Sequence, residues 1–191
     1  MVTGCLAERY QQEIAKELPE VNAVVGIGAN KEIARIVREA LEGKRIETFR
    51  PSASFPWRES GCRAPQVIFL FKNCRGCDNH CTYCAIPLIR GDNVSYPLEQ
   101  LIAEAKQLAS QGVKELVLIA QDTTKYGVDL YGKGMLLTLL EQLEALGLFH
   151  WIRVLYMYPD EIDEALIKGM AKLPHVLPIL IFLCSMQMMR C

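Results

Sequence analysis

Apolar and polar residues are arranged in blocks that predict alternating strands and helices in the second part of the chain. Runs of consecutive apolar residues are typical of strands that are buried on both faces. Such runs occupy residues 66–72, 114–120 and 151–157, with a further candidate strand at 176–183. Apolar residues recur at helical spacing between these runs, which predicts three helices. The helices cover residues 97–112, 135–146 and 160–173.

The first 43 residues predict the same alternation on a smaller scale. The expected elements are a strand stub at 1–4, a helix at 8–18, a strand at 21–27 and a helix at 33–41. Asn30 is a favourable N-cap for the last helix, and Gly43 supplies its end. Two strands are too few for a closed sheet. Residues 44–65 contain several prolines and are predicted to be irregular.

Strand–helix alternation of this length predicts right-handed βαβ units around a parallel sheet, and therefore an α/β fold. In a β/α barrel, the residues that carry chemistry lie at the carboxyl ends of the strands. A cysteine-rich loop follows the predicted strand 66–72, and Gln121-Asp122-Thr123-Thr124 follows the strand 114–120. We therefore expect both segments to lie at the same face.

Composition and charge do not identify a function, but together with the absence of a visible signal they favour a cytoplasmic location. The chain has 191 residues and a net charge of −1, so it has no whole-chain basic signature for nucleic-acid binding. No secretory signal is visible, and the apolar run 176–184 is far below the ~20 residues of a membrane-spanning helix. In a reducing compartment, clustered cysteines more often bind metal than form disulfides. We therefore expect a cytoplasmic protein without a membrane partner.

Three of the eight cysteines form a C-x3-C-x2-C motif that predicts a metal centre. Cys77, Cys81 and Cys84 lie within eight residues, and thiolates this close cannot all pair with one another. A shared iron–sulfur cluster uses all three thiolates at once. A four-iron cluster with three protein ligands keeps one iron open, where a small molecule can bind. His80, inside the motif, is expected to be an exposed loop residue rather than a ligand.

Cys74 leaves a second interpretation of the same region open. With Cys74, the motif becomes C-x2-C-x3-C-x2-C, which would suit a closed four-cysteine site for zinc or for an electron-transfer cluster. A third interpretation is that no cluster assembles in this chain. Closed zinc sites usually use two cysteine pairs that are well separated along the sequence, which favours the open cluster here.

The C-x3-C-x2-C motif after a first strand, with Tyr83 before its last cysteine, resembles the radical S-adenosylmethionine (SAM) superfamily. The resemblance implies a 4Fe-4S cluster on Cys77, Cys81 and Cys84, whose fourth iron chelates SAM. One-electron cleavage of SAM then gives a 5′-deoxyadenosyl radical, which abstracts hydrogen from an unactivated carbon. The resemblance also implies that Tyr83 lies near the adenine.

The segments GCDNHCTYCAIPLIRG and VKELVLIAQDTTKYGVDLYG resemble the methylthiotransferase branch of this superfamily. They are most similar to enzymes that modify an aspartate of a small-subunit ribosomal protein, with tRNA adenosine methylthiotransferases as the alternative. The resemblance implies a flavodoxin-like or ferredoxin-like electron donor. Gln121 and Asp122 become candidates for contact with SAM or substrate, while Arg153 could face either side of its strand. Cys5 would be the last of three ligands of a second 4Fe-4S cluster, which it cannot hold alone.

The resemblance covers residues 2–50 and 76–175 and implies a domain organisation. Residues 1–50 would be the C-terminal part of an α/β methylthiotransferase N-terminal domain, and 51–65 a linker. Residues 66–191 would be a partial radical SAM (β/α) barrel. Because the sequence after residue 177 departs from the family, we expect a fragment or a frame-shifted product of such an enzyme.

Overall fold

A computed structural model describes residues 1–49 and 67–182. Within these ranges the chain forms two compact units, one from residues 1–49 and 83–92, the other from 67–82 and 93–182. The linker predicted at 51–65 lies outside the described residues. Each unit is an α/β structure with a parallel sheet, so the predicted fold class is confirmed.

The first unit is built on a three-stranded parallel sheet with strand order β1-β2-β3. Its strands are β1 (Val2–Thr3), β2 (Ala23–Val25) and β3 (Ile46–Thr48). Its helices are α1 (Cys5–Arg9), α2 (Gln11–Glu17), α3 (Ile33–Leu41) and α4 (Ile86–Arg90). Successive residues of a strand face opposite sides of its sheet. Accordingly, Val24 packs with Ala7 and Ile14, whereas Ala23 and Val25 pack with Ile36.

Three predictions for this unit are wrong in detail. The helix expected at 8–18 is two helices, because Tyr10 leaves helical geometry at φ −119° and ψ 43°. Asn30 is not the N-cap of α3, since a 3-10 helix over Ile27–Glu32 leads directly into it and Glu32 takes that position. The segment expected to be irregular contains β3, which adds a third parallel strand beside β2.

The second unit is built on a four-stranded parallel sheet with strand order β4-β7-β8-β9. These strands are β4 (Ile68–Lys72), β7 (Glu115–Ile119), β8 (Trp151–Met157) and β9 (Val176–Phe182). The four predicted strands are therefore confirmed, and within the described residues they form an open sheet. A short antiparallel pair, β5 (Cys74–Arg75) and β6 (Val94–Ser95), follows β4 and was not predicted.

The helices of the second unit match the three predicted ones and add a short fourth. They are α5 (Leu98–Ser110), α6 (Val128–Tyr131), α7 (Leu136–Ala145) and α8 (Glu164–Met170). Before α8, a 3-10 helix covers Pro159–Glu161, and Asp163 caps α8 by accepting a hydrogen bond from Leu166 N at 2.7 Å. Such caps satisfy one of the orphan amides at a helix start.

The two faces of the four-stranded sheet differ in burial. Strand register groups the fully buried Phe71, Leu118 and Val154 on one face. The opposite face carries Ile68 and Trp151, both more than half exposed. The first face is the core of the unit.

No helix among the described residues is long and apolar enough to cross a membrane.

Candidate functional site

The carboxyl edge of the second unit's sheet brings together the two segments that were predicted to lie at one face. β4 ends at Lys72 and leads into β5, while β7 ends at Ile119 and leads into residues 121–124. Asn73 N donates a hydrogen bond to Ile119 O at 3.2 Å, which continues the pairing of the two strands beyond their ends. Parallel strands therefore deliver both segments to the same edge, as predicted.

Asp122 is a buried carboxylate with three donors. Oδ2 accepts a hydrogen bond from Asn79 Nδ2 at 2.8 Å, and Oδ1 accepts from Thr124 N at 3.0 Å and from the Thr124 hydroxyl. The residue is 2% exposed. Its neighbour Gln121 is exposed. The structure thus separates the two candidates, since Asp122 is turned inward and already partnered while Gln121 faces outward.

Thr123 anchors this segment to the next strand. Its N–H donates to Tyr156 O at 3.0 Å, and its hydroxyl donates to Leu155 O at 3.0 Å. Tyr156 has φ 61°, an uncommon conformation for a residue with a side chain, and the register of β8 with β9 shifts between Val154 and Met157. This irregularity turns the Tyr156 carbonyl toward Thr123 and fixes the position of Asp122.

Two further contacts tie residues after Asp122 to neighbouring parts of the unit. Lys125 Nζ lies 3.5 Å from Asp78 Oδ1 in a partly exposed ion pair. Gly127 N donates to Ser95 Oγ at 2.8 Å in β6. Residues 122–127 therefore contact both the loop that carries the first cysteines and the strand that follows it.

Cys77, Cys81 and Cys84 are free thiols and each is partly buried. Cys77 and Cys81 belong to the second unit, whereas Cys84 belongs to the first. Burial raises the pKa of the Cys77 thiol, a backbone hydrogen bond from Asn79 lowers it, and the charges of Asp122 and Asp78 raise it. His80 is exposed, with φ 46°, consistent with the loop position expected for it.

Cys74 differs from those three thiols in its surroundings. It is fully buried in β5, and its Sγ lies 3.5 Å from Asn73 Oδ1 and 3.6 Å from Asp122 O, to which the S–H can donate. Burial raises the pKa of the Cys74 thiol, and the charge of Asp122 adds to the shift. Cys74 is therefore less accessible to a cluster than the partly buried thiols of Cys77, Cys81 and Cys84.

The donor chemistry of the C-x3-C-x2-C motif fits an iron–sulfur cluster, because cysteine thiolates are the ligands such clusters use. Within residues 1–49 and 67–182, no three His, Cys, Asp or Glu side chains are arranged to hold a metal ion. The assignment of Cys77, Cys81 and Cys84 as ligands therefore rests on their spacing and on their free, accessible thiols.

The three other candidates are Cys5, Tyr83 and Arg153. In the first unit, Cys5 is a partly buried free thiol, and Arg90 Nη2 donates to its Sγ at 3.5 Å. Tyr83, in the same unit, is 68% exposed. Arg153 Nη2 lies 2.7 Å from the buried carboxylate of Glu115, so the Arg153 side chain lies on the sheet face that carries Glu115 and Trp151. Since Glu115 begins β7, this pair lies toward the amino edge of the sheet.

Sequence reasoning missed Asn79. In the sequence, Asn79 is recognisable only as an amide side chain between the predicted ligands Cys77 and Cys81. Its partner Asp122 lies 43 residues away along the chain. Only the sheet topology shows that the loop after β4 meets the loop after β7.

The relatives found by comparison with known proteins carry the same protein name. The chain is 42% identical over 180 residues to the ribosomal protein uS12 methylthiotransferase RimO of Caldicellulosiruptor saccharolyticus, covering 92% of this chain and 41% of that protein. It is 46% identical over 185 residues to the protein of the same name from Lachnoclostridium phytofermentans, covering 94% and 42%. For that of Clostridioides difficile, the identity is 46% over 179 residues, covering 92% and 40%. The chain thus spans about two fifths of the length of these relatives.

A family model described as the radical SAM superfamily matches residues 74–181, from the start of β5 into β9. The match includes the C-x3-C-x2-C motif, residues 121–124 and all but the first strand of the four-stranded sheet. More than half of the chain is covered, and the chain belongs to the radical SAM superfamily.

Proposed function

We propose that this chain is part of a radical SAM methylthiotransferase that modifies an aspartate of a small-subunit ribosomal protein. The observation that carries the proposal is the contrast among its cysteines. Cys77, Cys81 and Cys84 are free and accessible at cluster spacing, whereas Cys74 is buried and hydrogen-bonded. A set of three thiolates leaves one iron of a four-iron cluster open for SAM.

Cys77, Cys81 and Cys84 would hold the 4Fe-4S cluster, and the cluster with SAM supplies hydrogen-atom abstraction from an unactivated carbon. The chain's own residues position the reactants around it. Gln121, exposed at the carboxyl edge of the sheet, is available for contact with SAM or substrate. Tyr83, exposed in the first unit, is available to stack on the adenine. An electron-donor protein of flavodoxin or ferredoxin type would supply the reducing equivalent.

The identity of the substrate is proposed from the relatives. The names of the relatives compared above specify ribosomal protein uS12 and support a protein substrate over the tRNA adenosine alternative. A ribosomal substrate also implies a cytoplasmic location. The four-cysteine zinc or electron-transfer module fits this chain less well, because Cys74 is fully buried in β5 and its Sγ lies within hydrogen-bonding distance of Asp122 O.

Cys5 is proposed as one ligand of a second 4Fe-4S cluster. It is a free thiol at the start of α1, and the guanidinium of Arg90 lies beside its Sγ. One cysteine cannot hold such a cluster, so the remaining ligands would have to come from elsewhere.

The proposal is tested by reconstituting the protein anaerobically with iron and sulfide, then adding SAM and a strong reductant. We expect cleavage of SAM to methionine and 5′-deoxyadenosine, measured by chromatography. With uS12 present, mass spectrometry should show a methylthio group in place of a hydrogen on one aspartate. SAM cleavage with modification of tRNA instead of uS12 would support the alternative substrate, and absence of SAM cleavage would contradict the proposal.

A further inference from the structure

We infer that Asp122 and Asn79 form a polar lock that fixes the cysteine loop, so that both act as positioning residues. This inference rests on the proposed cluster at Cys77, Cys81 and Cys84. It assigns Asp122 a different role from the SAM or substrate contact expected from the sequence. The lock is defined by the hydrogen bond from Asn79 Nδ2 to Asp122 Oδ2 at 2.8 Å.

The position of Asn79 makes this bond consequential for the loop. Asn79 lies midway between Cys77 and Cys81, in a stretch that has no helix or strand of its own. The next residue, His80, has φ 46° and so departs from the usual backbone conformations. A loop of this kind keeps its shape only if tertiary contacts hold it. The side chain of Asn79 supplies such a contact to the sheet edge.

Asp122 is a rigid partner for that bond. Its Oδ1 is held by two donors from Thr124, and the preceding element β7 is a buried central strand. Thr123 fixes the same segment to the carbonyl of Tyr156 in β8. Since the carboxylate is buried and prearranged, its remaining oxygen can orient the loop rather than follow it.

Substitution of Asn79 and substitution of Asp122 should have different effects on this hydrogen bond. In Asn79→Asp, two carboxylates face each other without a donor, and the loop is repelled. In Asp122→Asn, Oδ1 still accepts from Thr124, and the Asn79 amide can flip so that its oxygen accepts from the new amide. In the double variant N79D/D122N, the new amide donates to the new carboxylate, so the hydrogen bond between the two side chains is restored with donor and acceptor exchanged.

The first measurement uses the protein without iron, so that it does not depend on the proposed activity. Alkylation of Cys77 and Cys81 is followed by mass spectrometry at each site. We expect N79D to react about tenfold faster than wild type at these two thiols, as loss of a charge-assisted hydrogen bond allows. D122N and the double variant should stay within about threefold of wild type. Lys125→Ala, which removes only the partly exposed pair with Asp78, is the matched control and should behave as wild type.

The second measurement follows iron retention after reconstitution. Loss of a residue that orients a ligand typically weakens metal binding about tenfold or more. We expect N79D to retain iron about tenfold less well, and the double variant to recover it. Where N79D does not fold, as judged by circular dichroism, Asn79→Ala removes the donor without adding a charge and takes its place.

The outcomes separate the lock from the proposed function. Wild-type alkylation and iron retention in N79D would overturn the lock, and so would a double variant as impaired as N79D. A wild-type protein that assembles no cluster contradicts the proposed function, whereas the alkylation pattern of the iron-free variants still decides whether the lock exists.

Discussion

The two edges of the four-stranded sheet are built differently. Toward the amino edge, Glu115 at the start of β7 is buried and bound by Arg153 through Nη2 at 2.7 Å and Nε at 2.9 Å. At the carboxyl edge, Asp122 is equally buried but is bound by neutral donors, one of them on the cysteine loop. One buried carboxylate therefore joins two strands of the sheet, while the other joins the sheet to a loop that carries chemistry.

This difference follows a rule of parallel α/β folds, in which the carboxyl ends of strands carry function and the amino ends carry stability. The irregular features of the unit are concentrated at the carboxyl edge: the irregular backbone at Tyr156, the unusual backbone of His80 and the free thiols of Cys77 and Cys81. Substitutions at the two edges should therefore be separable, with cluster assembly depending on one and unfolding free energy depending on the other.

The largest expected effect tests the carboxyl edge through its cysteines. Cys77→Ala removes one of three proposed thiolate ligands, and we expect the iron content after reconstitution to fall more than about tenfold. Cys74→Ala, three residues earlier, is the matched control and should retain the wild-type iron content. The absorbance of the cluster and the iron and sulfide content per chain measure both. Loss of the cluster in Cys74→Ala would mean that the buried thiol is a ligand.

The next largest effect tests the amino edge. Arg153→Met leaves the carboxylate of Glu115 buried without its partner, which should cost about 3 kcal/mol in the free energy of unfolding. Urea unfolding measures this cost. The double variant R153M/E115L removes the buried charge as well and should recover most of the stability. The iron content of the folded fraction should stay at the wild-type level. A lower iron content would show that the amino edge also affects cluster assembly.

A third prediction concerns a carboxylate of α5 rather than either edge. Glu104 is 7% exposed, and burial raises its pKa to about 7 from the ordinary 4.5. Its protonated form is thus favoured in the folded state. The stability it contributes is complete below pH 4.5 and is lost as the pH rises through about 7.

Glu104→Gln should therefore leave stability unchanged near pH 4.5 and raise it by about 1–3 kcal/mol at pH 8. Thermal unfolding at the two pH values checks this difference. Equal stabilisation at both would show that the carboxyl does not titrate in the folded protein as its burial implies.

The smallest expected effect concerns the bulge that supports the carboxyl edge. Tyr156 has a positive φ, which asparagine tolerates better than tyrosine. Tyr156→Asn should leave the free energy of unfolding within about 1 kcal/mol of wild type or raise it. Tyr156→Val places a β-branched residue in the same conformation and should lower it by more than about 1 kcal/mol. A reversed order in urea unfolding would show that the side chain of Tyr156, rather than its backbone, matters at this edge.

The sequence was sufficient for the features that depend on long apolar runs. β4, β7 and β8 are long enough to be predicted from hydrophobicity alone, and their parallel pairing placed the cysteine loop beside residues 121–124. β3 was missed because three residues with a central exposed glutamate give no clear periodicity. Its existence depends on pairing with β2, which is a tertiary contact.

The roles of neighbouring polar residues could not be predicted in the same way. Gln121 and Asp122 were treated alike, yet one is exposed and the other is 2% exposed. Which way each side chain points after a strand end is decided by Thr123 and its anchor in β8, far along the chain. Asn79 likewise has a role only because its partner is brought to it by the sheet.

In the proposed function, three thiols without Cys74 hold a cluster with an open iron. Electron paramagnetic resonance of the reduced, reconstituted Cys74→Ala protein, recorded before and after addition of SAM, tests it most directly. We expect a cluster signal that SAM changes in the same way as in the wild-type protein. A signal that SAM leaves unchanged in both proteins, or a cluster lost with Cys74, would contradict it.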